Sequence, residues 1–209
     1  GYIMVLKHDS NGISDEDMWK QLQKEYKDKY DMSWIGQYGF NNTYALIIRE
    51  EAAKKYNLTK TSQLADVSDE LVFGGNSDYI ERKDGFHLLC DTYGLKFKDV
   101  KDIDIGLKYE ALKKGDIDVS NGFTTDAQLS NDNVRVLEDD KHLQVNYFCS
   151  NVIRNDTLKS HPGLEEAIMK LDNSITDKEM ASLNYKVEVE GKEDVQVAKD
   201  YLTEKGIIK

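Results

Sequence analysis

Three short strings place aromatic rings beside small hydrogen-bonding side chains. They are Tyr38-Gly39-Phe40-Asn41-Asn42-Thr43-Tyr44-Ala45-Leu46, Asn121-Gly122-Phe123-Thr124-Thr125-Asp126 and Asn146-Tyr147-Phe148. Each lies at the edge of a short apolar run that reads as a strand. Tyr and Phe faces are electron-rich. Rings supplied from distant parts of a chain therefore suit a bulky cation that donates no hydrogen bonds, such as a trimethylammonium group. The same rings also read as ordinary core, because aromatics at strand edges commonly just pack. Residue type alone leaves both readings open.

Other chemistry is hard to find. His8, His87, His142 and His161 are scattered and form no His-x-x-x-His pair. Gly74-Gly75-Asn76-Ser77 lacks the lysine of a phosphate loop and the glycine pattern of a dinucleotide site. No Gly-x-Ser-x-Gly elbow is present. Asp99, Asp102 and Asp104 lack the glycine and terminal glutamate of an EF-hand loop. With 39 Asp and Glu against 28 Lys and Arg, carboxylate pairs arise by chance. The expectation is a non-enzyme with no catalytic residues, no metal and no cofactor.

The net charge of −11 argues against nucleic acid as a partner and mildly favours a cationic or neutral ligand. The 209 residues, 39% apolar and 32% charged, suffice for one domain or two small lobes. No run approaches the roughly 20 apolar residues of a membrane helix. The opening Gly1-Tyr2-Ile3-Met4-Val5-Leu6 shows no signal-peptide pattern, and a mature chain would have lost one. Cys90 and Cys149 have no metal-type spacing, and a disulfide between them stays open.

The elements that must carry the rings alternate. Ser14 followed by Asp15, Glu16 and Asp17 starts a helix, with Met18, Leu22 and Tyr26 on one apolar face. Strands are expected at 43–48, 71–73, 117–119, 134–137 and 143–153. Helices are expected at 50–56, at 82–93 closed by Gly94, and at 109–114 closed by Gly115, with a further turn from Thr61. From Pro162 the chain reads as helical, with Gly206 as a C-cap. This alternation argues α/β.

In order, these strings resemble the substrate-binding proteins of ABC importers for quaternary ammonium compounds: glycine betaine, carnitine, choline and the related ergothioneine binders. The resemblance spans residues 1–209. It rests on Gly39-Phe40-Asn41-Asn42-Thr43-Tyr44-Ala45, Glu81-Arg82-Lys83-Asp84-Gly85-Phe86 and Ile105-Gly106-Leu107-Lys108-Tyr109-Glu110-Ala111-Leu112. It continues through Gly122-Phe123-Thr124-Thr125-Asp126, Val136-Leu137-Glu138-Asp139-Asp140-Lys141 and Glu179-Met180-Ala181-Ser182-Leu183-Asn184-Tyr185.

The resemblance implies a two-lobed α/β fold of the type II binding-protein class that traps its ligand by hinge closure. Residues 41–144 would form one lobe, and residues 1–40 with 145–209 the other. It implies a cage of Tyr44, Phe123 and Tyr147 around the cationic head. Arg82 would pair a carboxylate tail, unless it pairs instead with Glu81, Asp84 or Asp78. Asn42 and Thr125 would either bind the tail or hold the groups that touch ligand, and Tyr109 would either touch ligand or pack. It also implies a membrane permease as partner and the outer face of the cell membrane, membrane-anchored or permease-fused, in a Gram-positive bacterium. A regulatory ligand-sensing module, or a truncated one, is the alternative use of the same fold.

The chain departs from the family pattern in several places. Phe123 stands where relatives often have Tyr or Trp, and Val145-Asn146 where they commonly have Pro-Pro. Asp78 stands where some relatives are aromatic, which would favour ligands without a carboxylate, such as choline. Gly1 resembles the glycine of a Tyr-Thr-Gly string that lies well inside full-length relatives. The expectation is therefore a first lobe lacking its opening strands, which self-associates or pairs with a complementary N-terminal segment.

Overall fold

A computed structural model describes residues 1–3, 5–8, 12–82, 85–130 and 133–209. Its helices, in chain order, are α1 (Asp15–Tyr30), α2 (Glu50–Lys55), α3 (Ser77–Glu81), α4 (Phe86–Tyr93), α5 (Lys108–Lys114), α6 (Asn155–Ser160), α7 (Leu164–Met169), α8 (Asp177–Glu188) and α9 (Asp194–Glu204). Its strands are β1 (Met32–Asn41), β2 (Tyr44–Arg49), β3 (Val72–Gly75), β4 (Asp99–Asp102), β5 (Val119–Phe123), β6 (Val134–Leu137) and β7 (Phe148–Arg154). The fold class is α/β, as the alternation implied.

The chain divides into two compact units. The first comprises Gly1–Asn42, Val145–Met180 and Glu193–Lys209, and the second Thr43–Gln144 and Ala181–Lys192. The division falls inside α8. The sequence-based boundaries gave all of 145–209 to one lobe, whereas here 181–192 go with the second unit. Asn184 shows why: its Nδ2 donates to the Thr125 carbonyl at 2.8 Å.

In the first unit, α1 begins as its sequence dictates. Ser14 Oγ accepts from the Asp17 N–H at 3.1 Å, and the three acids of the first turn sit at the positive end of the helix dipole. Leu22 and Tyr26 face inward and pack with Tyr2 and Leu6. β1 and β7 form a two-stranded antiparallel sheet, with Met32 opposite Arg154 and Trp34 opposite Val152. The register slips between Ile35 and Gln37, where Gly36 has a φ of 65° that a side chain would strain.

The second unit is built on a five-stranded sheet in the order β4-β3-β5-β2-β6. β3 runs parallel to β4 and β5, while β2 is antiparallel to β5 and β6. Successive residues of β2 feed opposite faces. Leu46 and Ile48 join a core with Leu64, Phe73, Leu89 and Val119, and Ile47 packs with Leu112 and Ile117 on the other side. Gly94 and Gly115 cap α4 and α5 in the left-handed region, as expected.

Three expectations change. The helix expected from 82 starts at Phe86 instead. Arg82 is the extended residue that ends α3, with its N–H donating to the Asp78 carbonyl at 3.1 Å. The strand expected from 143 begins at Phe148, because Leu143 and Gln144 give their N–H groups to the Asp139 carboxylate instead of a ladder. The C-terminal region is helical in three pieces, with breaks after Met169 and Glu188. Cys90 and Cys149 are free thiols, and burial pushes Cys90 up to about 11. No helix among the described residues is long and apolar enough to cross a membrane.

Candidate functional site

In the second unit, β2 and β5 begin and end on rings. Tyr44 opens β2 and Phe123 closes β5, and the antiparallel register sets them opposite each other. Their ring centroids lie 4.9 Å apart at an interplanar angle of 24°. Tyr79, buried on α3, approaches Tyr44 from another side at 5.2 Å and 55°. Tyr44 and Phe123 are both half-buried, so each retains accessible ring surface.

Behind Phe123 lies a charged cluster. Asp126 Oδ2 accepts from the Phe123 N–H at 3.1 Å, from the Tyr109 hydroxyl at 2.5 Å and from the Lys108 ammonium at 3.0 Å. Lys108 is buried at the first turn of α5, and its side chain is 7% exposed. Burial, and then the Asp126 carboxylate beside it, hold the Tyr109 phenol well above the ordinary tyrosine range. Tyr109 is therefore a neutral donor whose hydroxyl is committed to Asp126. Its ring packs near Ile47, Leu112 and Ile117. Thr125 is buried in the turn between them.

Arg82 and Asp78 sit at opposite ends of α3. Arg82 Nη1 lies 3.9 Å from Asp78 Oδ2, and both side chains are exposed, at 41% and 74%. At that distance and exposure the pair is loose. Asp84, another acid considered for Arg82, lies outside the described residues, as does Lys83.

The first unit carries Asn42 and Tyr147. The Asn42 N–H donates to the Tyr147 carbonyl at 3.1 Å. Asn41 completes the clamp: its Oδ1 accepts from the Tyr147 N–H at 2.6 Å, and its Nδ2 donates to Asn146 Oδ1 at 2.6 Å. The backbone of Tyr147 is thus held from both sides while its side chain is exposed. Within this unit Tyr147 lines a pocket of about 120 Å³ together with Asp15, Trp19, Trp34 and Phe148. In each unit a ring residue at or next to a strand end donates its backbone N–H to a side-chain oxygen, Phe123 to Asp126 and Tyr147 to Asn41.

The description "Substrate binding domain of ABC-type glycine betaine transport system" matches residues 10–204. The chain belongs to this family. Among its relatives, the ergothioneine transport permease/ergothioneine binding protein EgtU of Helicobacter pylori (strain G27) is 37% identical, over 94% of this chain and 36% of that protein. The carnitine transport binding protein OpuCC of Listeria monocytogenes serotype 1/2a (strain 10403S) is 36% identical, over 87% of this chain and 59% of that protein. The chain thus spans between about a third and three-fifths of these two relatives. A crystal structure of a glycine betaine/carnitine/choline ABC transporter protein superposes with a TM-score of 0.89 at 35% identity, covering 98% of this chain and 75% of the other. Apo YehZ from Escherichia coli shares the fold, with a TM-score of 0.79 at 21% identity.

Sequence reasoning missed Lys108, Asp126 and Asn41 as members of the ring-bearing clusters. All three stood inside the family-like strings. Nothing in their spacing marked them, because the chain is rich in charged residues and the three side chains are brought to their partners by strand pairing and helix packing.

Proposed function

We propose that this chain is the ligand-capturing module of an ABC importer for a quaternary ammonium compound, working with a membrane permease at the outer face of the membrane. The observation that carries the reading is the stacked Tyr44–Phe123 pair at the ends of two paired strands, in a chain of the glycine betaine transport family. Electron-rich rings attract a cation that presents only methyl groups, and each such contact contributes about 0.5–2 kcal/mol depending on desolvation.

In this reading the faces of Tyr44 and Phe123 receive the ammonium head in the second unit, and Tyr147 is the ring that the first unit offers to such a cation. Arg82 offers a fork of donors to a carboxylate tail, and Asp78 competes for that fork. Asn42 and Thr125 shape the strand ends that carry the rings, and Tyr109 braces Phe123 through Asp126. The names of the relatives supply the candidate ligands: carnitine, glycine betaine, choline and ergothioneine.

Isothermal titration calorimetry with these four compounds tests the proposal. Saturable binding of at least one, lost when Tyr44 is replaced by alanine, supports it. The absence of binding to all four overturns it.

A further inference from the structure

The cluster behind Phe123 contains a charge that a cation-binding site would not be expected to tolerate. Lys108 Nζ lies 6.0 Å from the Phe123 ring centroid and 5.1 Å from that of Tyr109. With its side chain only 7% exposed, this ammonium is poorly screened by water. A ligand cation held on the accessible surface of Phe123 would feel its repulsion. The Asp126 carboxylate, 3.0 Å away and 20% exposed, is placed to cancel it. The same carboxylate oxygen also takes the Phe123 N–H and the Tyr109 hydroxyl, so the neutralising charge is fixed to the backbone of the ring it protects.

We propose that the buried Lys108–Asp126 pair sets the charge selectivity of the ligand site, with Asp126 masking Lys108 so that a net cation is accepted beside Phe123. The inference rests on the functional reading above and extends it to two residues that need not touch ligand. The pair leaves the region close to neutral. Unmasking Lys108 makes the region positive, which penalises a ligand of net charge +1 more than a zwitterion of net charge zero. Choline is the first kind and glycine betaine the second. Removing Lys108 alone does the reverse.

The test measures choline and glycine betaine affinities by calorimetry for the wild type, Asp126→Asn, Lys108→Met and the double variant, with thermal melts confirming that each is folded. The Asp126→Asn variant should lose about tenfold or more in choline affinity and distinctly less for glycine betaine. Lys108→Met should shift the choline-to-betaine ratio the other way. The double variant should return that ratio towards the wild-type value, because both charges are gone while the hydrogen bonds of Asp126 are altered in the same way as in the single variant. Equal losses for both ligands in Asp126→Asn, or a shifted ratio that the double variant does not restore, would mean that the pair only holds the fold, and would overturn the inference alone. A wild type that binds neither ligand overturns this inference, and failure with carnitine and ergothioneine as well overturns the functional reading beneath it. Should the single variants fail to melt cooperatively, the conservative Lys108→Arg and Asp126→Glu changes, which keep both charges, should leave the choline-to-betaine ratio within about twofold of the wild type. A larger change would count against a role for charge.

Discussion

Tyr44 and Phe123 face each other across the β2–β5 ladder, with ring centroids 4.9 Å apart and planes 24° from parallel. The contact is made by register, because the two residues are the terminal pair of a ladder that continues through Ala45–Gly122 and Leu46–Asn121. The rings are thereby held without an ordered loop, on strands whose next residues are buried. A rigid pair loses little freedom when it receives a ligand.

Ring removal should therefore read out as affinity. Tyr147→Ala should weaken quaternary ammonium binding by roughly 2- to 30-fold, the range set by one cation–π contact. Because the Tyr147 side chain is exposed, the thermal midpoint should hardly move. Tyr44→Ala should cost as much affinity and also lower the midpoint, since it removes contacts with both Phe123 and Tyr79. Unchanged affinity in Tyr147→Ala, measured by calorimetry, would remove that residue from the site.

The Asp78–Arg82 pair makes a second prediction. A carboxylate 3.9 Å from the guanidinium competes with a ligand carboxylate for the same donors. Asp78→Asn should raise affinity for glycine betaine and carnitine by a few-fold and leave or slightly reduce that for choline. A wild-type protein that already prefers glycine betaine over choline would argue that the pair does not set ligand choice.

The Gly85 N–H donates to the Arg82 carbonyl at 3.1 Å. A Cβ at this position would lie 2.1 Å from the Tyr79 carbonyl oxygen, which is backbone and cannot rotate away. Gly85→Ala should destabilise the protein by about 1–3 kcal/mol. It should also weaken carboxylate-bearing ligands more than choline, because Arg82 is tied to Gly85 by that hydrogen bond and shifts with it. Chemical denaturation and calorimetry on the same variant check the two effects separately.

Acid should loosen the first unit through Glu179. Its carboxylate is held down to about 2, from an ordinary value of 4.5, first by Lys205 and then by the Thr176 N–H and hydroxyl. Lys205 Nζ lies at 2.5 Å and the Thr176 N–H at 2.8 Å. A depressed carboxyl contributes stability that is complete above the unfolded value and is lost as pH falls towards the folded one. Melting temperatures should therefore drop between about pH 4.5 and pH 2, and Glu179→Gln should flatten that part of the profile. A Glu179→Gln curve parallel to the wild type would show that this carboxylate contributes nothing.

Much of the fold was readable because local rules agreed. Ser14 with three acids and a four-residue apolar period could only start a helix, and the apolar run at Tyr44–Arg49 needed no help to be a strand. β1 was not readable. Gly36 and Gly39 interrupt it, and its residues are mostly half-buried, so no alternation appears. α3 has only five residues, and β4 is the fully exposed Asp99–Asp102, an edge strand held by backbone pairing to β3. Thr176 and Glu179 did carry a capping-box pattern that marks the start of α8. The ring types were visible in the sequence, but that Tyr44 meets Phe123 follows only from the order of the sheet. The Lys108–Asp126 pair had no local signature at all, since it depends on α5 folding back towards the end of β5.

The two sheets also differ in when they can be made. Every strand of the five-stranded sheet comes from Tyr44 to Leu137, so it can close while the rest of the chain is still being synthesised or threaded through a translocon. β1 emerges earlier than all of them, yet its strand partner among the described residues begins at Phe148, and Met32 must wait for Arg154. Closing so long a loop is slow, and an unpaired ten-residue strand is sticky in the meantime. Nascent or refolding chains should therefore pass through a half-built state with the five-stranded sheet formed and β1 exposed. Chaperone capture and misassembly would concentrate on that strand, and pulsed hydrogen exchange should find protection at Ile47 and Val119 well before Trp34.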